Sequence, residues 1–215
     1  GGSNASAWFA NNGKENFETK IERKGMTSRW GESSFASAPL NNLPGLLAIP
    51  RQSGPNTTNA LIHWMADGSE KEITKLPAGA YGPLAVSDVD NDGDLDIALA
   101  GESDAGAITR VYRNDSGAFV DIQAGLPGVV NGDVAWGDRD NDGDLDLLVT
   151  GDTGGAGVAT LFDNSNGTFT DANVGLPALT DSAAEWGDFD NDGDLDLVLA
   201  GLTASEEGLT EVFRN

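Results

Sequence analysis

Asp88-Val89-Asp90-Asn91-Asp92-Gly93-Asp94-Leu95-Asp96 is the stretch on which the reading of this chain turns. Its pattern returns at residues 138–146 and again at 188–196, each copy 50 residues after the last. Each copy runs straight into an apolar segment: Ile97-Ala98-Leu99-Ala100, Leu147-Leu148-Val149 and Leu197-Val198-Leu199-Ala200. Other landmarks keep the same step. Leu76-Pro77, Leu126-Pro127 and Leu176-Pro177 recur, Gly117 and Phe119 match Gly167 and Phe169, and Trp136-Gly137 matches Trp186-Gly187. Self-similarity at a fixed period marks an array of supersecondary units. A further copy, 50 residues before the first, has lost its acids. Ala38, Leu40, Asn42 and Leu46 stand in the places of Asp88, Asp90, Asp92 and Asp96, while Leu46-Leu47-Ala48-Ile49 keeps the apolar run. The acids are therefore not needed to make the strand.

Within one repeat every segment reads as β. Val134-Ala135-Trp136 is short and apolar, and the acidic loop follows it. Residues 145–150 form a strand-like run that Gly151 is expected to break, and residues 158–162 form the next. Asn164-Ser165-Asn166-Gly167 is a turn, and Thr168-Phe169-Thr170 alternates as a last short strand. Four short antiparallel strands per repeat describe a blade of an all-β propeller. A right-handed β-helix is the rival, but its coils are normally shorter. The expected layout is one domain: the last two strands of a blade at 1–24, a degenerate blade at 25–78, complete blades at 79–128 and 129–178, and an incomplete blade at 179–215. The ends thus fall mid-blade, since Ala7-Trp8-Phe9-Ala10 resembles His63-Trp64-Met65-Ala66 and the chain stops at the counterpart of Arg113-Asn114. Open blade edges invite strand pairing. Completion by further blades of a longer chain, or self-association, is the expectation.

Composition narrows the function. The 215 residues carry 12 Lys+Arg against 35 Asp+Glu, a formal charge of −23. Nucleic acid and anionic lipid both require a basic surface, so neither is expected as a partner. No apolar run approaches the roughly 18 residues of a membrane-spanning helix. Gly1-Gly2-Ser3-Asn4 shows no signal peptide, as would also be true of a mature secreted protein. With no Cys, disulfides and thiolate chemistry are excluded, and one His leaves little for imidazole sites. The acidity is local: of 24 Asp, 15 lie in the three nine-residue loops.

Five carboxylates in nine residues repel one another unless a cation sits among them. Positions 1, 3, 5 and 9 converge only if the chain wraps tightly, which Gly93, Gly143 and Gly193 permit. All-oxygen ligation favours Ca²⁺ over the smaller Mg²⁺, and the lack of sulfur or imidazole disfavours zinc. The ligands read from the first loop are the side chains of Asp88, Asp90, Asp92 and Asp96 with the Asp94 carbonyl. The second loop offers Asp138, Asp140, Asp142 and Asp146 with the Asp144 carbonyl. The third offers Asp188, Asp190, Asp192 and Asp196 with the Asp194 carbonyl. Three Ca²⁺ sites follow. An EF-hand would need Glu at position 12, where Leu99, Val149 and Leu199 stand in apolar strands.

The Asp-x-Asp-Asn-Asp-Gly-Asp-Leu-Asp loop and its apolar strand resemble the FG-GAP/VCBS repeat family. The resemblance is strong over residues 79–215 and weak over 1–78. It implies an integrin-α-like β-propeller with Ca²⁺ in the loop between the first two strands of a blade, in agreement with the ligands above. The copy from Ala38 to Leu46 departs from that pattern and is expected to bind no metal. The family usually closes about seven blades, more than this length supplies.

The remaining candidates read as structure. Trp136 and Trp186 share one repeat position, which suggests blade packing, whereas Trp30 lies outside the register and is a candidate surface contact. Trp8 and Trp64 carry no separate signal, and His63 reads as a strand residue. Asn4, Asn56, Asn114 and Asn166 each open an Asn-x-Ser/Thr sequon that would permit glycosylation in a eukaryotic secretory pathway. No phosphate loop, nucleophile elbow or zinc helix is present, so no enzyme is expected. The expected function is a calcium-stabilised, extracellular binding or adhesion scaffold for a protein or glycan ligand. A lectin, or a non-catalytic module of a larger extracellular protein or filament, is the alternative.

Overall fold

The computed structural model describes residues 9–11, 17–19, 34–37, 45–49, 60–65 and 69–215. Among these every regular element is a strand. β1 (Phe9–Asn11) pairs with β2 (Phe17–Thr19). A four-stranded sheet follows from β3 (Ser34–Ser37), β4 (Gly45–Ile49), β5 (Ala60–Met65) and β6 (Glu70–Lys75). The next comprises β7 (Leu84–Ser87), β8 (Asp96–Ser103), β9 (Gly106–Asp115) and β10 (Ala118–Asp121). The third comprises β11 (Val130–Gly137), β12 (Asp146–Asp152), β13 (Gly157–Ser165) and β14 (Thr168–Asp171). The last has β15 (Thr180–Gly187), β16 (Asp196–Leu202) and β17 (Gly208–Phe213). Neighbours in each sheet are neighbours in sequence and antiparallel, so each is a meander. Among the described residues the architecture is all-β, a set of propeller blades that does not close.

β8 and β12, the second strands of their sheets, are apolar without alternation because both of their faces are covered. Ile97 and Leu99 of β8 point to the preceding sheet, into a core with Leu47, Ile49 and Leu61. Ala98 and Ala100 point the other way and pack with Val111 against Val134, Leu147 and Val149. The third sheet repeats this, with Leu148 and Leu161 packed against Leu179, Ala184, Leu197 and Leu199 of the following repeat. Burying one large aliphatic side chain of this kind is worth about 1.5–3 kcal/mol. The last sheet shows the same alternation with one side uncovered. Leu197 and Leu199 are buried, whereas Val198 and its cross-strand partner Val212 are 38% and 42% exposed.

Two features depart from the sequence reading. The strands are longer than expected, and Gly151 does not break β12 but lies inside it at φ 135°. A Cβ there would meet the Val130 carbonyl oxygen at 2.6 Å, so the glycine admits a close approach by β11, whose register shifts between Val130 and Asp133. Of the described tryptophan side chains, Trp186 acts between sheets and Trp136 within its own. Trp186 lies flat against Gly137 of the preceding sheet, and its Nε1 donates to the Ala135 carbonyl at 3.4 Å. Trp136 packs beside Phe169, with ring centroids 6.0 Å apart.

Gly137 and Gly187 occupy the same repeat position in different surroundings. A Cβ at Gly137 would stand 2.7 Å from the Trp186 ring, whereas one at Gly187 would meet nothing within 4 Å. Gly137→Ala should therefore cost about 1–3 kcal/mol by overpacking. Gly187→Ala should change stability by no more than about 0.5 kcal/mol. Parallel denaturant unfolding of the two variants checks this.

Candidate metal centres

The three acidic loops join the first and second strands of their sheets, and all wrap in the same way. The fourth position is left-handed in each, with φ 59° at Asn91, 58° at Asn141 and 59° at Asn191. The sixth is glycine at 93°, 94° and 98°. A Cβ on Gly93, Gly143 or Gly193 would meet nothing within 4 Å, so backbone conformation rather than space calls for glycine.

Within the loop the five acids divide their tasks. Position 1 gathers the turn: Asp88 Oδ1 accepts from the Asp92 amide at 3.1 Å and Oδ2 from the Gly93 amide at 3.0 Å. Asp138 and Asp188 do the same in their loops. Position 5 caps the amide of position 7: Asp92 accepts from Asp94 at 2.8 Å, Asp142 from Asp144 at 2.9 Å and Asp192 from Asp194 at 3.0 Å. The side chains of Asp94 and Asp144 turn away to accept from the Ser116 and Asn166 amides.

Position 9 is buried in every loop. Asp96 accepts from the Val89 amide at 2.8 Å and the Asn114 amide at 2.7 Å. Asp146 accepts from the Arg139 amide at 3.0 Å and the Asn164 amide at 2.9 Å, and Asp196 from those of Phe189 at 3.0 Å and Asn215 at 2.9 Å. This carboxylate ties the loop to the end of the third strand or to the residues just beyond it.

Positions 1, 3 and 9 converge. Asp88, Asp90 and Asp96 each offer an oxygen within 4.8 Å of the others, as do Asp138, Asp140 and Asp146, and Asp188, Asp190 and Asp196. Asp92 instead groups with Asp90 and Asp115, and Asp142 and Asp192 stand outside the triplets. Burial, then the like charges of Asp90 and Asp88, push Asp96 up to about 6 against the pull of its two amide donors. Burial likewise raises Asp146, and burial with the neighbouring Asp92 raises Asp90. Asp90 Oδ1 is buried without a hydrogen-bond partner among the described residues. Converging, desolvated carboxylates with a spare buried oxygen fit a hard divalent cation. The triplet side chains would hold it, and it would supply the positive charge that their burial lacks.

Sequence reasoning missed the arginines. Arg113 Nε lies 3.8 Å from Asp90, an Arg139 terminal nitrogen lies 3.7 Å from Asp140, and Arg214 pairs with Asp190. One guanidinium thus stands beside position 3 of each loop. The three arginines come from different places in the repeat, so no periodic signal links them. A long flexible stem reaches the same point from several backbone positions.

The chain matches the family model of the FG-GAP-like repeat over residues 88–149 and again over 138–199. It belongs to that family. Each match runs from one acidic loop to the second strand of the following sheet, so the FG-GAP-like signal spans a blade junction. No curated protein matches the sequence.

Other candidates resolve as follows. His63 is buried in β5, where burial and then Lys71 lower its pKa. Asn114 is fully buried, and its Nδ2 donates to the Leu95 carbonyl, which removes it as a glycan acceptor in the folded chain. Asn166 is exposed in a turn. Asn4, Asn56, Trp8, Trp30 and the acid-free loop positions Ala38, Leu40 and Asn42 lie outside the described residues.

The raised carboxylates give the metal-free chain a definite pH dependence. Asp96 titrates near 6 when folded, against 3.8 for an unperturbed aspartate, so between these values the folded chain holds more protons than the unfolded one. Asp96 should therefore add stability in chelator as pH falls from about 7 to about 5. His63, with its lowered pKa, removes some over the same range, so the sign is read from the difference between the parent chain and Asp96→Asn. Thermal unfolding in EDTA across that range checks the sign.

Proposed function

We propose that this chain is a calcium-stabilised, non-catalytic scaffold of the extracellular space or cell surface, whose blades present loops to a protein or glycan ligand. The observation that carries the reading is the same carboxylate triplet in three successive loops, each beside a junction between sheets. Hard oxygen donors favour Ca²⁺, and extracellular modules bind it at about 10⁻⁴–10⁻³ M, so the sites would fill outside cells. Membership of the FG-GAP-like family supports a binding role over a catalytic one. No helix among the described residues is long and apolar enough to cross a membrane. Loops on rigid strands are suited to recognition.

Cations that bind only the folded chain should raise its stability by about 2.7 kcal/mol per site at a hundredfold excess over Kd. Calorimetric melting in about 10–100 mM Ca²⁺, which is that excess over the Kd range above, against EGTA at matched ionic strength tests this. A higher melting temperature in Ca²⁺ supports the reading, and superimposable transitions overturn it. Binding of the Ca²⁺-loaded chain to glycan and protein arrays then separates the two ligand classes.

A further inference from the structure

We propose that hydrogen bonds across the blade junctions couple neighbouring loops, with Asn91 and Asn141 as the positioning residues, so that calcium fills the array cooperatively. The proposal rests on reading the loops as calcium sites. Asn91 sits between Asp90 and Asp92, and its Nδ2 donates to the next loop, to the Gly143 carbonyl at 3.0 Å and Asp144 Oδ1 at 3.4 Å. Asn141 repeats the contact one junction on, with Nδ2 2.8 Å from Asp194 Oδ1. The segment received in each case carries position 7, whose backbone carbonyl is an expected ligand.

A second path joins the same loops. Asp96 accepts from the Val89 amide, the Val89 carbonyl accepts from Asn164 Nδ2 at 3.2 Å, and the Asn164 amide donates to Asp146. Buried carboxylates of two triplets are thus joined through Val89 and one asparagine. At the next junction Asp146, Arg139, Asn215 and Asp196 repeat the chain, with Asn215 Nδ2 2.6 Å from the Arg139 carbonyl. A cation that orders one loop fixes the groups that hold the next, which then orders at a smaller entropic cost. Linkage makes the effect reciprocal.

Asparagine at position 4 also suits the left-handed backbone, and glycine would suit it equally. Asn91→Gly therefore removes the cross-junction amide and keeps the turn. Asn191 has the same φ, but its side-chain amide has no partner among the described residues, so Asn191→Gly is the matched backbone control. Calcium titration of the full chain by calorimetry should give a Hill coefficient above about 1. Asn91→Gly should flatten the isotherm and weaken binding at the second loop about fivefold or more, while Asn191→Gly keeps the steepness. Asn91→Asp, which replaces the donor with an acceptor facing Asp144, should flatten it too and serves if the glycine variant does not fold. Non-cooperative binding by the parent chain, or equal steepness in the Asn91 and Asn191 variants, overturns the coupling alone. Absence of any calcium binding overturns the calcium reading and the coupling together.

Discussion

One buried carboxylate per loop holds this structure together at its acidic end. Asp96, Asp146 and Asp196 open their second strands, and each accepts two backbone amides, one from its own loop and one from the far end of the third strand or just beyond it. Hydrogen bonds to a charged group are worth about 1.5–3 kcal/mol each, but burial of that charge works against them. The raised pKa of Asp96 is the measure of that conflict. A divalent cation among positions 1, 3 and 9 would relieve it without breaking a bond, because a carboxylate has lone pairs to spare beyond the two amides.

The same strand that begins with this carboxylate is the packing centre of its sheet. Its odd and even residues serve two different interfaces, so a blade buries its apolar surface fully only with neighbours on both sides. Val198 and Val212 show what the alternation leaves when one side is uncovered. Gly137 and Trp186 add a specific fit between sheets to the general burial of aliphatic surface. Loop chemistry and sheet packing therefore meet at the junctions rather than within single blades.

The repeat was legible because its constraints are local. The loop's left-handed residue, its glycine and a position-1 aspartate that gathers the amides of positions 5 and 6 all depend on short-range geometry, so the same residue types recur at the 50-residue step that the sequence displays. The differing roles of the glycines were less legible: Gly151 reads as a breaker in sequence but admits another strand in space. The burial of Asn114 was hidden for a similar reason, since its sequon looks like an exposed turn.

By itself the sequence determined the strand order, the loop positions and the supply of carboxylates, because these depend on residues close together in the chain. Tertiary structure decided which carboxylates converge, which arginine stands beside each triplet, and how Asn91 and Asn164 reach across a junction. Asn91 lies 52 positions from Gly143, and Asn164 lies 75 from Val89. Only the stacking of sheets brings groups so far apart in the chain within hydrogen-bonding distance.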